Sequence, residues 1–342
     1  MPVSHQRAIV IGSSAGGIDA LKRLVAALPG DFPAPIFIVQ HVAPQYPSFL
    51  PEILVNAGNL PARHPADGES IAAPGIYVAP PDHHLLIEES HVAVKRGPKE
   101  NRFRPSADAL FRSAAYTYRE RAIGVVLTGA LTDGTSGLWT IKRLGGTTIV
   151  QDPTDALEPS MPMSALRDVQ VDYTLPVAKI PEVLMAKIQE PLPSAPAPSN
   201  EELRRVQIEQ AIAAGALPID QGVFELGPPS RYACPECHGV LGRIVEGPIT
   251  RFRCHTGHAY TEEAFLAGAQ HASDEALAEA VTALEESAML LEEMATRQRK
   301  QGNNGEAENF FQRARHARRL VDTLRHVVME NRVGYEKPVA ST

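Results

Sequence analysis

The chain has 342 residues, 44% of them hydrophobic, and a formal net charge of -7 at pH 7. That length suits about two or three domains with a sizeable core, and the acidic balance argues against a general nucleic-acid binder. No apolar run approaches the ~20 residues that a membrane-spanning helix needs, and the opening MPVSHQRAIV lacks a secretion-signal pattern. The expected location is therefore cytoplasmic, with neither nucleic acid nor membrane as a direct partner.

Up to residue 190, strand-like apolar runs alternate with helical patterns. RAIVIG (7–12) reads as a buried strand. A helix follows over 17–28, with Ile18, Leu21, Leu24, Val25 and Leu28 on one face. APIFIVQH (34–41) and GIYVAP (75–80) are further strands, and 85–97 reads as a hairpin. A helix over 106–121 leads into the strand AIGVVLTG (122–129), and a helix over 136–144 leads into GTTIVQD (146–152). This alternation predicts βαβ units: an α/β, doubly wound, mainly parallel Rossmann-like sheet with helices on both faces.

PLPSAPAPS (191–199) has four prolines in nine residues and reads as a semi-rigid linker over 191–200. The expected organisation is a catalytic domain over 1–190, the linker, a short helix with a cysteine-bearing module over 201–262, and a helical hairpin over 263–342 with a flexible C-terminus. In the hairpin, Leu277, Val281, Leu284, Ala288 and Leu291 recur at heptad spacing. Phe310, Ala314, Ala317, Val321, Leu324 and Val328 do the same after the break QGNNGE (301–306). The first of these helices is acidic and the second basic, which favours antiparallel pairing.

Ligands of a parallel sheet bind beyond the carboxyl ends of its strands, so the residues at those ends matter. The first strand ends in Gly12-Ser13-Ser14-Ala15-Gly16-Gly17, the second in Gln40-His41, and the strand at 122–129 runs on to Asp133-Gly134. Ser14, His41 and Asp133 thus fall on one edge. A histidine held by an aspartate can take the proton of a serine hydroxyl and make it nucleophilic. Gly12-x-Ser14-x-Gly16 has the spacing of a nucleophile elbow, in which small neighbours let a strand-to-helix turn expose the serine. A dinucleotide-binding turn competes for this stretch, but it requires glycine where Ser14 stands. The chain order Ser, His, Asp also differs from that of the α/β-hydrolases.

IGSSAGG, the QH ending the second strand, GIYVAPPDHHLLI, NRFRPSADALF and GVVLTGALTDG together resemble the catalytic domain of the CheB-type chemotaxis protein-glutamate methylesterases. The resemblance covers residues 6–188. It implies a triad of Ser14, His41 and Asp133 that hydrolyses glutamate methyl esters on methyl-accepting chemoreceptors, with glutamine deamidation by the same acyl chemistry. No cofactor is implied for catalysis. The resemblance further implies oxyanion donors at the backbone of Ala15 and Ala130, and a substrate-binding surface with Asp82, His84, Arg102, Arg104 and Met161. A receptor methyltransferase or a signalling scaffold is an implied partner. The chain departs from the family pattern at Ala15, where threonine is frequent, at Ala130-Leu131, where Met-Gly is usual, and at Ser160, where glycine commonly precedes Met-Pro. Family members often carry an N-terminal receiver domain, which this chain is expected to lack. A signalling adaptor with a weakly active or inactive methylesterase fold is the alternative reading.

All three cysteines lie within residues 234–254, a spread that points to a metal rather than a disulfide framework. Cys234-x2-Cys237, Cys254 and one histidine supply four N/S ligands for tetrahedral zinc. His258 is preferred because His255 adjoins Cys254 and His238 adjoins Cys237, and adjacent side chains rarely converge. A closed structural site in a zinc ribbon is expected; an open site with bound water is the alternative.

Overall fold

The computed structural model describes residues 7–72, 74–192 and 198–335. Outside them lie residues 1–6, where part of the signal-free opening falls, residue 73, 193–197 of the proline-rich linker, and 336–342 of the C-terminus expected to be flexible. The chain divides into two compact units, residues 1–266 and 267–342.

The first unit begins with β1 (Ala8–Ser13), α1 (Gly17–Ala26), β2 (Pro35–Gln40), α2 (Leu50–Ala57), β3 (Ala62–Arg63) and β4 (Gly75–Val78). A hairpin of β5 (His84–Glu88) and β6 (His91–Lys95) follows, then α3 (Ala107–Tyr118), β7 (Ala122–Val126), α4 (Thr135–Arg143), β8 (Thr147–Gln151), α5 (Ser160–Asp168), β9 (Tyr173–Leu175) and α6 (Ile180–Gln189). The large sheet has seven strands in the order β3-β4-β2-β1-β7-β8-β9, and every pairing in it is parallel. The doubly wound α/β expectation is met.

Strand alternation builds two cores. Ala8 and Val10 of β1, with Phe37 and Val39 of β2, face Leu110, Phe111, Leu138 and Met161 on one side. Ile9, Ile11, Ile36 and Ile38 face Leu21, Leu24, Val25 and Leu184 on the other. Truncating a fully buried member such as Leu24 to alanine costs about 2–5 kcal/mol. Ile18 departs from expectation: it is 39% exposed. The buried stripe of α1 starts one residue earlier, at Gly17, which packs against Ser13 and Gln40.

After α7 (Asn200–Ala213), a second sheet of β10 (Pro229–Ala233), β11 (Val240–Glu246), β12 (Ile249–Cys254) and β13 (Ala259–Thr261) is antiparallel throughout. It belongs to the same compact unit as the parallel sheet. The charges that join them are buried. Glu100 accepts from Arg112 of α3 and, at 2.9 Å, from Arg253 of β12. Glu209 of α7 accepts from Arg251 at 2.7 and 2.9 Å and from Arg253 at 3.0 Å. Each ion here has an opposite partner, the condition under which buried charge is tolerated.

The second unit contains most of α8 (Glu262–Lys300) and α9 (Asn304–Tyr335). Ala288, Ala314, Ala317 and Val321, all at the heptad positions, are buried. Arg318 pairs with Glu292 at 2.7 and 2.9 Å, and Arg325 pairs with Glu285. A step of seven residues up one helix matches seven down the other, which is antiparallel pairing of a basic with an acidic helix.

Candidate active site

β1 lies between β2 and β7, where the direction of winding reverses. Such a reversal leaves a crevice at the strand ends. The loops after these three strands carry Ser14, His41 and Asp133.

The turn after β1 is shaped by contacts that small residues permit. Gly16 has φ +76° and serves as the N-cap of α1, a conformation that side-chain-bearing residues rarely adopt. Gly129, after β7, sits so close that an added Cβ would lie 2.8 Å from the Ser14 Cβ and 2.1 Å from the Met161 sulfur. Ser13 is fully buried and donates to Gln40 Oε1 at 2.8 Å. Gln40 Nε2 in turn donates to the Ser14 and His41 carbonyls at 2.8 and 3.0 Å. Gln40 therefore ties the two loops together, while Ser13 is the inward member of the serine pair.

His41 Nε2 lies 2.8 Å from Asp133 Oδ2. The ring is stacked on Phe103, with centroids 3.8 Å apart and planes 11° from parallel. Its other nitrogen, Nδ1, is buried and has no hydrogen-bond partner. Asp133 is also held by Ser106 Oγ at 2.7 Å, Asn101 Nδ2 at 2.9 Å and the Ala107 N–H at 2.6 Å. Burial by itself would raise its pKa. The hydrogen bond and charge of His41, with the bonds from Ser106 and Asn101, outweigh burial and hold it at about 2. Neighbouring Asp108 goes the other way: burial, followed by the charge of Asp133, lifts it to about 7.

A cleft of about 460 Å³ is lined by Ser14, His41, Asp82, Arg102, Phe103 and Arg104 among others. Among the described residues Ser14 Oγ finds no hydrogen-bond partner, and neither do the backbone N–H groups of Ala15 and Ala130, both residues being exposed. Leu131, beside Ala130, has φ 64°, a strained backbone of the kind that collects at functional turns.

The residues expected at the substrate surface separate. Asp82 binds Arg104 through Oδ1 at 2.6 and 2.9 Å and Arg96 through Oδ2 at 2.8 Å. Its burial raises the carboxyl, but these arginines outweigh that and hold it low. Arg104 is thus spoken for, whereas Arg102 lines the cleft with no ion-pair partner among the described residues. His84 and Met161 are away from the cleft. His84 is fully buried, with Nε2 on the Pro98 carbonyl at 2.9 Å, and desolvation lowers its pKa. Met161 is fully buried beneath Gly129. Sequence reading missed Gln40, Asn101, Phe103 and Ser106. Asn101 and Phe103 alternate with Arg102 and Arg104 in NRFRPS, and carry no signal of their own without the fold.

Cys234, Cys237, Cys254 and His258 converge, their donor atoms all lying within 4.8 Å of one another. Two tight turns bring them together: Cys234 N–H donates to Gly239 at 2.8 Å, and Cys254 N–H to His258 at 3.0 Å. His258 turns Nδ1 toward Cys234 and Cys254, at 3.7 and 3.6 Å, and Nε2 toward Glu236 at 3.5 Å. His255 instead packs on Gly239.

A parallel doubly wound sheet with a serine, a histidine and an aspartate at its switch point has the layout of a hydrolase. The family model for the CheB methylesterase matches residues 9–184, and the chain belongs to that family. A Leptospira interrogans protein, named as a protein-glutamate methylesterase/protein-glutamine glutaminase, is 42% identical over 182 residues, covering 53% of this chain and 94% of that one. A Thermotoga maritima protein of the same name is 36% identical, covering 54% of this chain and 55% of that one. The crystal structure of the Thermotoga maritima CheB methylesterase catalytic domain superimposes with a TM-score of 0.52 at 35% identity, covering 53% of this chain and 98% of that domain. No helix among the described residues is long and apolar enough to cross a membrane.

Proposed function

We propose that this chain hydrolyses methyl esters on glutamate side chains of methyl-accepting chemoreceptors, releasing methanol, with Ser14 as nucleophile, His41 as general base and Asp133 as its orienting acid. The observation that carries the reading is the His41–Asp133 hydrogen bond at a cleft shared with Ser14, in a chain of the CheB methylesterase family. Family membership favours this enzyme over the adaptor reading.

The geometry supports a specific proton path. Ionised Asp133 accepts from Nε2, so the imidazole lone pair resides on Nδ1, the ring atom without a partner. As Ser14 Oγ attacks the ester carbonyl, its proton passes to Nδ1 and the carbonyl oxygen takes up the negative charge. The N–H groups of Ala15 and Ala130 have no acceptor among the described residues and are the candidate donors to that oxygen. Collapse breaks the ester C–O bond. The His41 proton goes to the departing methoxide as methanol, and a glutamyl ester remains on Ser14. Water, deprotonated by His41, repeats the cycle in reverse and leaves a glutamate carboxylate and free Ser14. With a glutamine substrate the leaving group is ammonia. Arg102 stands ready to meet acidic residues on a receptor helix, and a receptor methyltransferase would regenerate the ester.

Cys234, Cys237, Cys254 and His258 are assigned as a structural zinc site. Sulfur–sulfur and sulfur–nitrogen separations of 3.6 and 3.7 Å match the edge of a tetrahedron with Zn–S near about 2.3 Å. Glu236, behind His258, supplies the carboxylate that commonly orients a ligating imidazole. Four protein donors leave no position for water, so the metal would stabilise the small sheet and take no part in hydrolysis.

A methanol-release assay on methylated receptor tests the catalytic reading. Release by the wild type and none above background by Ser14→Ala is expected. Equal release by both proteins would overturn it.

A further inference from the structure

We propose that the antiparallel sheet of residues 229–261 is part of the apparatus that positions the reacting groups: strand β13 fixes Asn101, and Asn101 fixes Asp133. The proposal rests on the reading of Ser14, His41 and Asp133 as a triad. Asn101 is a positioning residue, as is Thr261, because each acts through another group.

The contacts run from one sheet to the other without a gap. Residue 100 makes a parallel bridge with residue 259 of β13. The Asn101 N–H donates to the Ala259 carbonyl at 2.7 Å, and the Thr261 N–H donates to Asn101 Oδ1 at 2.9 Å. With Oδ1 committed as acceptor, the orientation of the amide is settled, and its two N–H bonds must point the other way. They go to Asp133 Oδ1 at 2.9 Å and Asp108 Oδ2 at 2.7 Å. One side chain thus converts the placement of β13 into the placement of the triad carboxylate.

Further observations point the same way. Thr132, next to Asp133 in the chain, shares a 2.6 Å hydroxyl hydrogen bond with Thr261. The segment carrying Asn101 also carries Phe103, which stacks on His41. Asn101 and Arg102 both have left-handed backbone, at φ 50° and 74°. Such a turn persists only where its surroundings hold it, and Arg253 of β12 holds it through Glu100. Asn101, Thr132 and Thr261 are each at most 5% exposed, so solvent does not compete for these bonds.

The test uses the full chain and p-nitrophenyl acetate, with active sites counted by titration with a fluorophosphonate so that misfolded protein does not enter kcat. Asn101→Ala is expected to lower kcat per titrated site on the order of a hundredfold, the scale of a small misplacement of a catalytic group, with KM within about twofold. Asn101→Asp keeps the acceptor for Thr261 and sets a third carboxyl against those of Asp133 and Asp108, which raises the pH at which Asp133 is protonated. It should move the acid limb of the kcat/KM profile to higher pH, which a purely structural defect would not do. Thr261→Val and Thr132→Val should each lower kcat per site by about tenfold, and the double variant should be no worse than the poorer single one. Val245→Ala, in the same sheet at a 58% exposed position, should match the wild type. Normal kcat per site in Asn101→Ala overturns this proposal alone. Normal turnover by Ser14→Ala would overturn the triad reading as well.

Discussion

His41 Nε2 and Asp133 Oδ2 lie 2.8 Å apart at the ends of two strands that do not adjoin, β2 and β7, with β1 and its Ser14 between them. The arrangement explains why the chain order Ser, His, Asp works: the sheet order, not the sequence order, sets who meets whom. Replacing Asp133 with asparagine would present an N–H where His41 needs an acceptor and favour the wrong tautomer. The expected loss in kcat is about 10⁴-fold, as for the corresponding change in a serine protease triad, with the melting temperature separating this from unfolding.

Gly129→Ala should be impaired for a different reason. The new methyl would lie 2.8 Å from the Ser14 Cβ and meet the Met161 sulfur, so the nucleophile's turn must shift. A kcat at least about tenfold lower, with fluorophosphonate labelling slowed in parallel, is the expected outcome. Pairing it with Met161→Ala, which clears the sulfur but not Ser14, should restore stability more than activity.

Two buried carboxyls give opposite pH signatures. Asp133 is held at about 2 in the folded chain, below the ordinary value of about 4, so its stabilisation is full above the unfolded value and is lost as pH falls toward 2. Asp108 is raised to about 7, so its contribution is full below about 4 and is lost as pH rises through 7. Melts at pH 5 and pH 8 should therefore show the wild type losing stability over this interval relative to Asp108→Asn. An identical loss in both proteins would place the titration elsewhere.

For the cysteine cluster, elemental analysis should find one zinc per chain. Cys234→Ser should lose the metal and melt at a lower temperature, whereas His255→Ala should keep it, because His255 packs on Gly239 rather than joining the ligands.

Much of this was legible beforehand. Period-two and period-3.6 patterns laid out the parallel sheet, and the sheet's own geometry then brought Ser14, His41 and Asp133 to one edge. The C-x2-C and C-x3-H spacings picked out the four residues that converge. What sequence reading lacked was depth. Asp82 and His84 share one motif, Arg104 lies in the next and Met161 follows much later, and only Asp82 and Arg104 of the four line the cleft. His84 is sealed behind it on the Pro98 carbonyl, and Arg104 is occupied by Asp82. Asn101 shows the deeper limit: its role depends on a strand 160 residues away in the chain, a contact no local pattern encodes.

Ser14, and not its neighbour Ser13, is the proposed nucleophile activated by His41. Fluorophosphonate labelling of the wild type, followed by peptide mass spectrometry, tests it most directly. One adduct per chain on Ser14 is expected, retained in Ser13→Ala and lost in His41→Ala. An adduct on Ser13, or unchanged labelling in His41→Ala, would contradict the account.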